Sequence, residues 1–237
     1  MADPLQLSDV RTGVMFLTQD TRTDSTTQAD RDHCINNAYL WLNSIKAFWR
    51  KRSTTIALTA NTVAHNLGTD FSDAYRLYYR ENGLYHEVEI IGDSQWLEVS
   101  ATSTADSDEP RFARVTQTSS TQNQIELTPP PSSSFISNVT SALTLEYFIE
   151  LIRLSGATDE LILPANLRHF VEYPAAWEYA LGQGDMALAD RLKVKAEEVK
   201  ALALKHDLTR TGKARRLYPA RGYWPDEALI ERDYGRR

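Results

Sequence analysis

Residues 75–90 read YRLYYRENGLYHEVEI, and this stretch decides the fold. Asn82-Gly83 sits at its centre, and both residues tolerate the positive φ that a two-residue type I′ turn demands. Counting outward from the turn pairs Tyr79 with His86, Leu77 with Val88 and Tyr75 with Ile90 on one face. The other face pairs Tyr78 with Glu87 and Arg76 with Glu89. A register that joins apolar groups and sets Arg opposite Glu predicts a β-hairpin. A β module therefore occupies the middle of the chain.

Further short strands are predicted around it. Thr54, Thr55, Ile56 and Thr59 are β-branched, and Ile56, Leu58 and Ala60 share one strand face. Others are predicted at 95–99, 112–118, 124–127 and 142–152, separated by Ser, Thr, Asp and Pro loops. Pro129-Pro130-Pro131-Ser132 is a stiff connection, not a strand. This spacing predicts a small antiparallel sandwich or barrel.

Helical periods flank the module. Val10, Val14 and Leu17 predict a short helix from Ser8, which can cap it, to about Gln19. After the Thr-rich 21–27, Ile35, Ala38, Leu42, Ile45 and Trp49 recur in steps of three and four. They predict one long helix over 28–51, with Trp41 and Phe48 widening its apolar stripe and Lys51 and Arg52 at its C-terminal dipole. Beyond Asp159, Pro164 suits a first helical turn, and Leu167, Phe170, Val171 and Trp177 form an apolar face kinked at Pro174. Gly182-Gln183-Gly184 stops that helix, and Asp185 caps another whose buried stripe is Leu188, Leu192, Val199 and Ala203. No internal repeat is evident. The predicted class is α+β: a helical bundle from the N- and C-terminal helices, an inserted antiparallel β-sandwich or barrel, and an extended C-terminal arm. The expected divisions are 1–52 and 159–208 for the bundle, 53–158 for the β insert and 209–237 for the arm.

The chain has 237 residues, 42% hydrophobic and 24% charged, an ordinary globular composition. No stretch has the pattern of a signal peptide, and no apolar run reaches transmembrane length. Its one cysteine, Cys34, excludes an intramolecular disulfide and fits a reducing compartment. The net charge is −6, unevenly spread. Residues 207–237 hold eight basic and five acidic residues, or +3; the rest holds 18 and 27, or −9. Between Gly212 and Trp224 lie Lys213, Arg215, Arg216 and Arg221 with no acid, interleaved with Tyr218, Tyr223 and Trp224. Arg, Tyr and Trp are the residue types that dominate protein interfaces. A basic arm on an acidic body points to a protein partner rather than to tight general binding of nucleic acid. Lys213, Arg215, Arg216, Tyr218, Arg221, Tyr223 and Trp224 are the predicted docking residues.

Catalytic and metal chemistry is not expected. None of His33, His65, His86, His169 and His206 has a zinc-ligand spacing. There is no G-x-S-x-G, P-loop or G-x-G-x-x-G. Cys34 beside His33 is expected to be a small buried hydrophobe, because adjacent residues point to different helix faces. Asp106, Asp108 and Glu109 read as a solvated loop, since a calcium loop needs more ligands and a turn glycine. Glu87 and Glu89 share a strand face but read as sheet-surface residues opposite Tyr78 and Arg76. Two rival readings stay open: a glycosidase using those glutamates, and a carbohydrate- or host-surface-binding β module with Tyr78, Tyr85 and Trp96 as an exposed platform.

From about Val10 to Leu204 the chain resembles the head-to-tail adaptor proteins of tailed bacteriophages, the connectors below the portal in short-tailed phages. The likeness rests on a strand ending in a Tyr-containing segment at Tyr147, a loop with Asp159, Leu163-Pro164 opening a helix, and a second helix from Gly184-Asp185 rich in Ala, Lys and Glu. The segment ending near Trp49-Arg50-Lys51 before a Thr-rich strand also fits. The resemblance implies a ring, typically a dodecamer, bound to the portal protein and to tail nozzle or tube proteins, with double-stranded DNA passing through it. It implies a C-terminal extension that embraces a neighbour or the portal, no cofactor, no metal, no catalysis and no membrane. It places the protein in the virion neck after assembly in the host cytoplasm.

Overall fold

A computed structural model describes residues 4–81, 83–102, 109–119, 122–139 and 142–207. The chain is α+β and divides into two compact units. Of the described residues, one unit joins 4–51 with 150–207 and is helical; the other, Arg52–Ile149, holds the sheet.

In the helical unit α1 spans Leu7–Thr18, α2 Ser25–Trp41, α5 His169–Gly182 and α6 Met186–Lys205. Their core contains Val10, Val14, Ile35, Ala38, Leu42, Phe170, Val171, Ala176, Leu192 and Val199. Asp24 caps α2, accepting from Thr27 N, and Asp185 caps α6 through Leu188 N at 3.0 Å. The left-handed backbone at Gly184 (φ 78°) lets the chain turn between α5 and α6. The first helix is capped at Gln6 rather than Ser8: Gln6 and Asp9 form a reciprocal capping box. Pro164 does not open α5 directly; it precedes a 3-10 turn, Ala165–Leu167.

The long helix expected over 28–51 is two-thirds that length. It ends at Trp41 and continues as 3-10 turns at Leu42–Ser44 and Phe48–Arg50, with Ile45 extended between them. The cause is Arg50, whose guanidinium is buried. It donates to the carbonyls of Leu42 (3.3 Å), Asn43 (2.8 Å) and Ile45 (2.8 Å), which a continuing helix would have used itself. Lys51 and Arg52 consequently lie in a strand and not at a helix terminus.

Two asparagines one heptad apart serve residues 150–154. Asn36 exchanges two hydrogen bonds with the backbone of Leu154 (2.7 and 3.0 Å), and Asn43 two with that of Leu151 (2.8 and 2.9 Å). Side-chain amides replace the strand ladder there, so the strand expected to reach 152 ends at Ile149.

The other unit contains β1 Lys51–Ala57, β2 Ala64–Asn66, β3 Phe71–Glu81, β4 Leu84–Ile90, β5 Phe112–Ser119, β6 Gln122–Thr128 and β7 Ala142–Ile149. It also holds α3, Asp93–Thr102, and the short α4, Ser133–Asn138. The seven strands form one curled sheet ordered β1-β7-β3-β4-β5-β6-β2. It is a half-barrel with edges, not a two-layer sandwich, and β4 pairs β5 in parallel. The hairpin register matches Leu77 with Val88, Tyr78 with Glu87 and Tyr79 with His86. Gly83 sits in the turn with φ 83°. The ladder with β4 extends only to Leu77, and Arg76 ion-pairs with Glu87 at 3.5 Å rather than facing Glu89.

The strand expected at 95–99 is a helix. Asp93 in the first turn favours the helix dipole, and Trp96 N donates back to Gly92 O at 2.9 Å. Alternation over five residues cannot separate a strand from a helix with one buried anchor, and Trp96 is that anchor.

Candidate functional surfaces

The docking residues read from the sequence, Lys213, Arg215, Arg216, Tyr218, Arg221, Tyr223 and Trp224, lie outside the described residues. The structure does describe the root of the arm. Asp207 forms an antiparallel bridge with Ala47. Beside it His206 packs against Trp49 (ring centroids 5.4 Å) and Phe170 (5.6 Å), with Phe48 at 6.3 Å. Burial pushes the His169 imidazole down, and the neighbouring His206 adds to that effect. Phe48, expected to widen an apolar stripe, is more than half exposed.

A clasp closes the helical unit between α1 and α2. Arg31 is buried and donates to the carbonyls of Asp20 (2.7 Å) and Arg22 (2.6 Å). Tyr179 of α5 donates to the Asp20 carboxylate at 2.5 Å, and Arg22 forks onto the same group at 2.9 and 2.7 Å. The Arg22 hydrogen bonds, with Tyr179 and Arg31, hold the Asp20 carboxyl well below the usual carboxylate range. Cys34 is buried and its thiol is pushed up to about 12, chiefly by burial, so it is held as the inert thiol.

The exposed platform imagined on the β module does not assemble. Trp96 is buried, with the Arg114 guanidinium 4.9 Å from its ring centre. Tyr85 is 65% exposed and meets Tyr78 edge-on at 5.5 Å; Arg80 lies over Tyr85 and Arg76 over Tyr78. Burial raises the pKa of Glu87 against the pull of Arg76. His86 stacks on Tyr79 at 5.1 Å, the packing role expected for it. Among the described residues no group of three or more His, Cys, Asp or Glu could hold a metal ion, and no helix is long and apolar enough to cross a membrane.

Sequence reasoning did not find a groove on the β unit. A groove of about 510 Å³ is lined by Thr54–Ala57 of β1, by Thr59 and Thr62, by all three residues of β2, by Leu67 and Gly68, and by Gln124. His65 lines it with Nε2 buried and without a hydrogen-bond partner. The signal in the sequence was the density of threonine over 54–62, which was read only as strand propensity.

A helical unit built from residues 4–51 and 150–207 and a curled sheet formed by the residues between them define a two-unit α+β protein. Residues 5–221 match a model of the family described as SU10 adaptor protein, and the chain belongs to that family. No curated protein matches it.

Proposed function

We propose that this protein is a head-to-tail adaptor of a tailed phage, forming a ring that joins the portal to the tail and continues the DNA channel. The observation that carries the proposal is the family match, which takes in both units and runs into the arm as far as residue 221. The ring, a dodecamer in this reading, needs heterologous contact between successive copies. The basic arm supplies such a contact by crossing to a neighbouring copy or the portal, which raises the effective concentration of the remaining interface. Acidic side chains facing the channel repel passing phosphates and keep it from holding DNA. The protein acts in the virion neck, after assembly in the host cytoplasm, and works without catalysis or cofactor.

The burial of Trp96 weighs against the sugar-binding platform. The ion pair of Glu87 with Arg76 is the sheet-surface role that rivals a glycosidase pair. Deleting residues 209–237 tests the proposal: the truncated chain should fold yet fail to attach to the portal. Normal portal attachment by that chain would overturn the role given to the arm.

A further inference from the structure

Three helices of the helical unit bring two tryptophans and a lysine together. Lys200 of α6 holds its ammonium 5.4 Å from the ring centre of Trp41, at the end of α2, and 5.4 Å from that of Trp177 of α5. All three side chains are partly buried, and both rings pack at the rim of the core. Among the described residues Lys200 makes no ion pair, and neither indole N–H has a hydrogen-bond partner. Glu178, beside Trp177, is held by Asn37 Nδ2 at 2.6 Å, and Glu197, one turn before Lys200, forms no ion pair with it. The polar ends of the cluster are therefore three donors, since neither indole nor ammonium accepts. Leu181, one turn beyond Trp177, is exposed and extends the apolar face. Cation–π attraction fixes the ammonium on the rings, so little of its freedom is left to lose on binding. A partner that sets a carboxylate beside an apolar side chain meets both needs of such a surface.

We infer that this cluster is the docking site for helix α3 of a second copy, with Asp93 on Lys200 and Leu97 on the two tryptophans. The buried anchor of α3 is Trp96, which leaves Leu97 68% exposed and the Asp93 side chain 83% exposed. Four residues apart, they are neighbours on one edge of the helix, with Cβ atoms about 5–6 Å from each other. That separation matches the 5.4 Å between the Lys200 ammonium and either ring. Ala101, a further turn along the same edge, is small and exposed and lets the rings approach. Asp93 meets Arg114 at 3.3 Å, an exposed pair that contributes little and is readily exchanged. Charge selects the occupant. Residues 52–149 hold five basic and twelve acidic residues, a net of −7, whereas residues 1–51 and 150–206 hold 13 and 15, a net of −2. The unit that carries α3 is thus the acidic one, and the unpaired cation stands on the other. Every copy carries both surfaces, so the contact is heterologous and repeats from copy to copy, as a closed ring requires. Tryptophan at its centre is the residue type of an interface hot spot.

This inference rests on the ring reading and is tested separately from it. A photo-crosslinking phenylalanine replaces the exposed Leu97 in the full chain, and equal amounts of ¹⁴N- and ¹⁵N-labelled protein are mixed before assembly. The expected cross-links join one copy's residue 97 to residues 37–41, 173–181 or 196–204 of a differently labelled copy. Lys200→Glu should weaken self-association at least about tenfold in sedimentation, the scale of a lost hot spot. Lys200→Glu with Asp93→Lys in the same chain should recover it, because every contact re-forms with its signs exchanged; melting curves confirm that each variant is folded. Cross-links within one copy, cross-links to the β unit of another, or a folded double variant that associates no better than Lys200→Glu alone would overturn the inference. Rings that capture the portal while residue 97 maps elsewhere defeat this inference alone. Copies joined at this contact that do not bind portal defeat the adaptor reading alone.

Discussion

Three buried polar residues set how the helical unit is built, and each can be tested by one substitution. Arg50 satisfies three carbonyls where α2 breaks. Arg50→Ala leaves them unpaired, and chemical denaturation should show a loss of at least about 3 kcal/mol, from three carbonyls at about 1–3 each. Asn36→Leu strands both the N–H and the C=O of Leu154, with an expected loss of about 2–6 kcal/mol from two groups at about 1–3 each. Glu172 works in the opposite sense. Its carboxylate is buried against Gly13 of α1, one oxygen has no hydrogen bond, and Arg168 Nε stands 3.5 Å away. Burial raises its pKa above the ordinary 4.5, so the folded state holds its proton more tightly than the unfolded state. That contribution is complete below 4.5 and is lost as the pH rises through the folded value. Glu172→Gln should therefore stabilise the protein by about 1–3 kcal/mol at neutral pH and change little below 4.5. Equal effects at both pH values in urea titrations would contradict the account. Asp20, His65 and His169 have depressed pKa values, so their stabilisation is lost on acidification. The histidine loss begins below their ordinary 6.5, and the Asp20 loss only below its ordinary 3.8.

At the scale of elements, what the sequence made legible depended on the range of the deciding contact. The hairpin was readable because its turn and pairing lie within sixteen residues, and the paired positions 77–79 and 86–88 agree with the count from the turn. Gly83 at φ 83° is the point on which it turns. Gly83→Val should destabilise by about 1–2 kcal/mol, the cost of left-handed backbone for a residue with a Cβ; calorimetry of the variant checks this. Asp185 as a cap and Gly184 as a stop were readable for the same local reason. The end of α2 was not, because apolar period continues through Ile45 and Trp49 while Arg50 takes the carbonyls. Nor was α3, where a short alternating run has two solutions and the choice falls to Trp96 beneath Arg114. The parallel pairing of β4 with β5 depends on contacts that no local pattern records. The groove lined by β1 and β2 was hidden likewise: its lining comes from strands at opposite ends of the sheet order.

At the scale of the whole molecule, the two units divide the charge unequally. The β unit is strongly acidic, the helical unit nearly neutral and the arm basic. An acidic β unit and a basic arm on every copy are expected to attract one another between copies, and salt should weaken that attraction. Arg215→Glu with Arg216→Glu should lower self-association at low salt without altering the melting temperature, as sedimentation and calorimetry can show. The predicted docking residues were legible as a composition, basic and aromatic without acid, and they lie outside the described residues. The central claim is an adaptor ring, and native mass spectrometry of the full chain with and without portal protein tests it most directly. The expected result is a closed homo-oligomer, twelve copies in this reading, bound to the portal. A monomer that leaves the portal unbound at every concentration would contradict it.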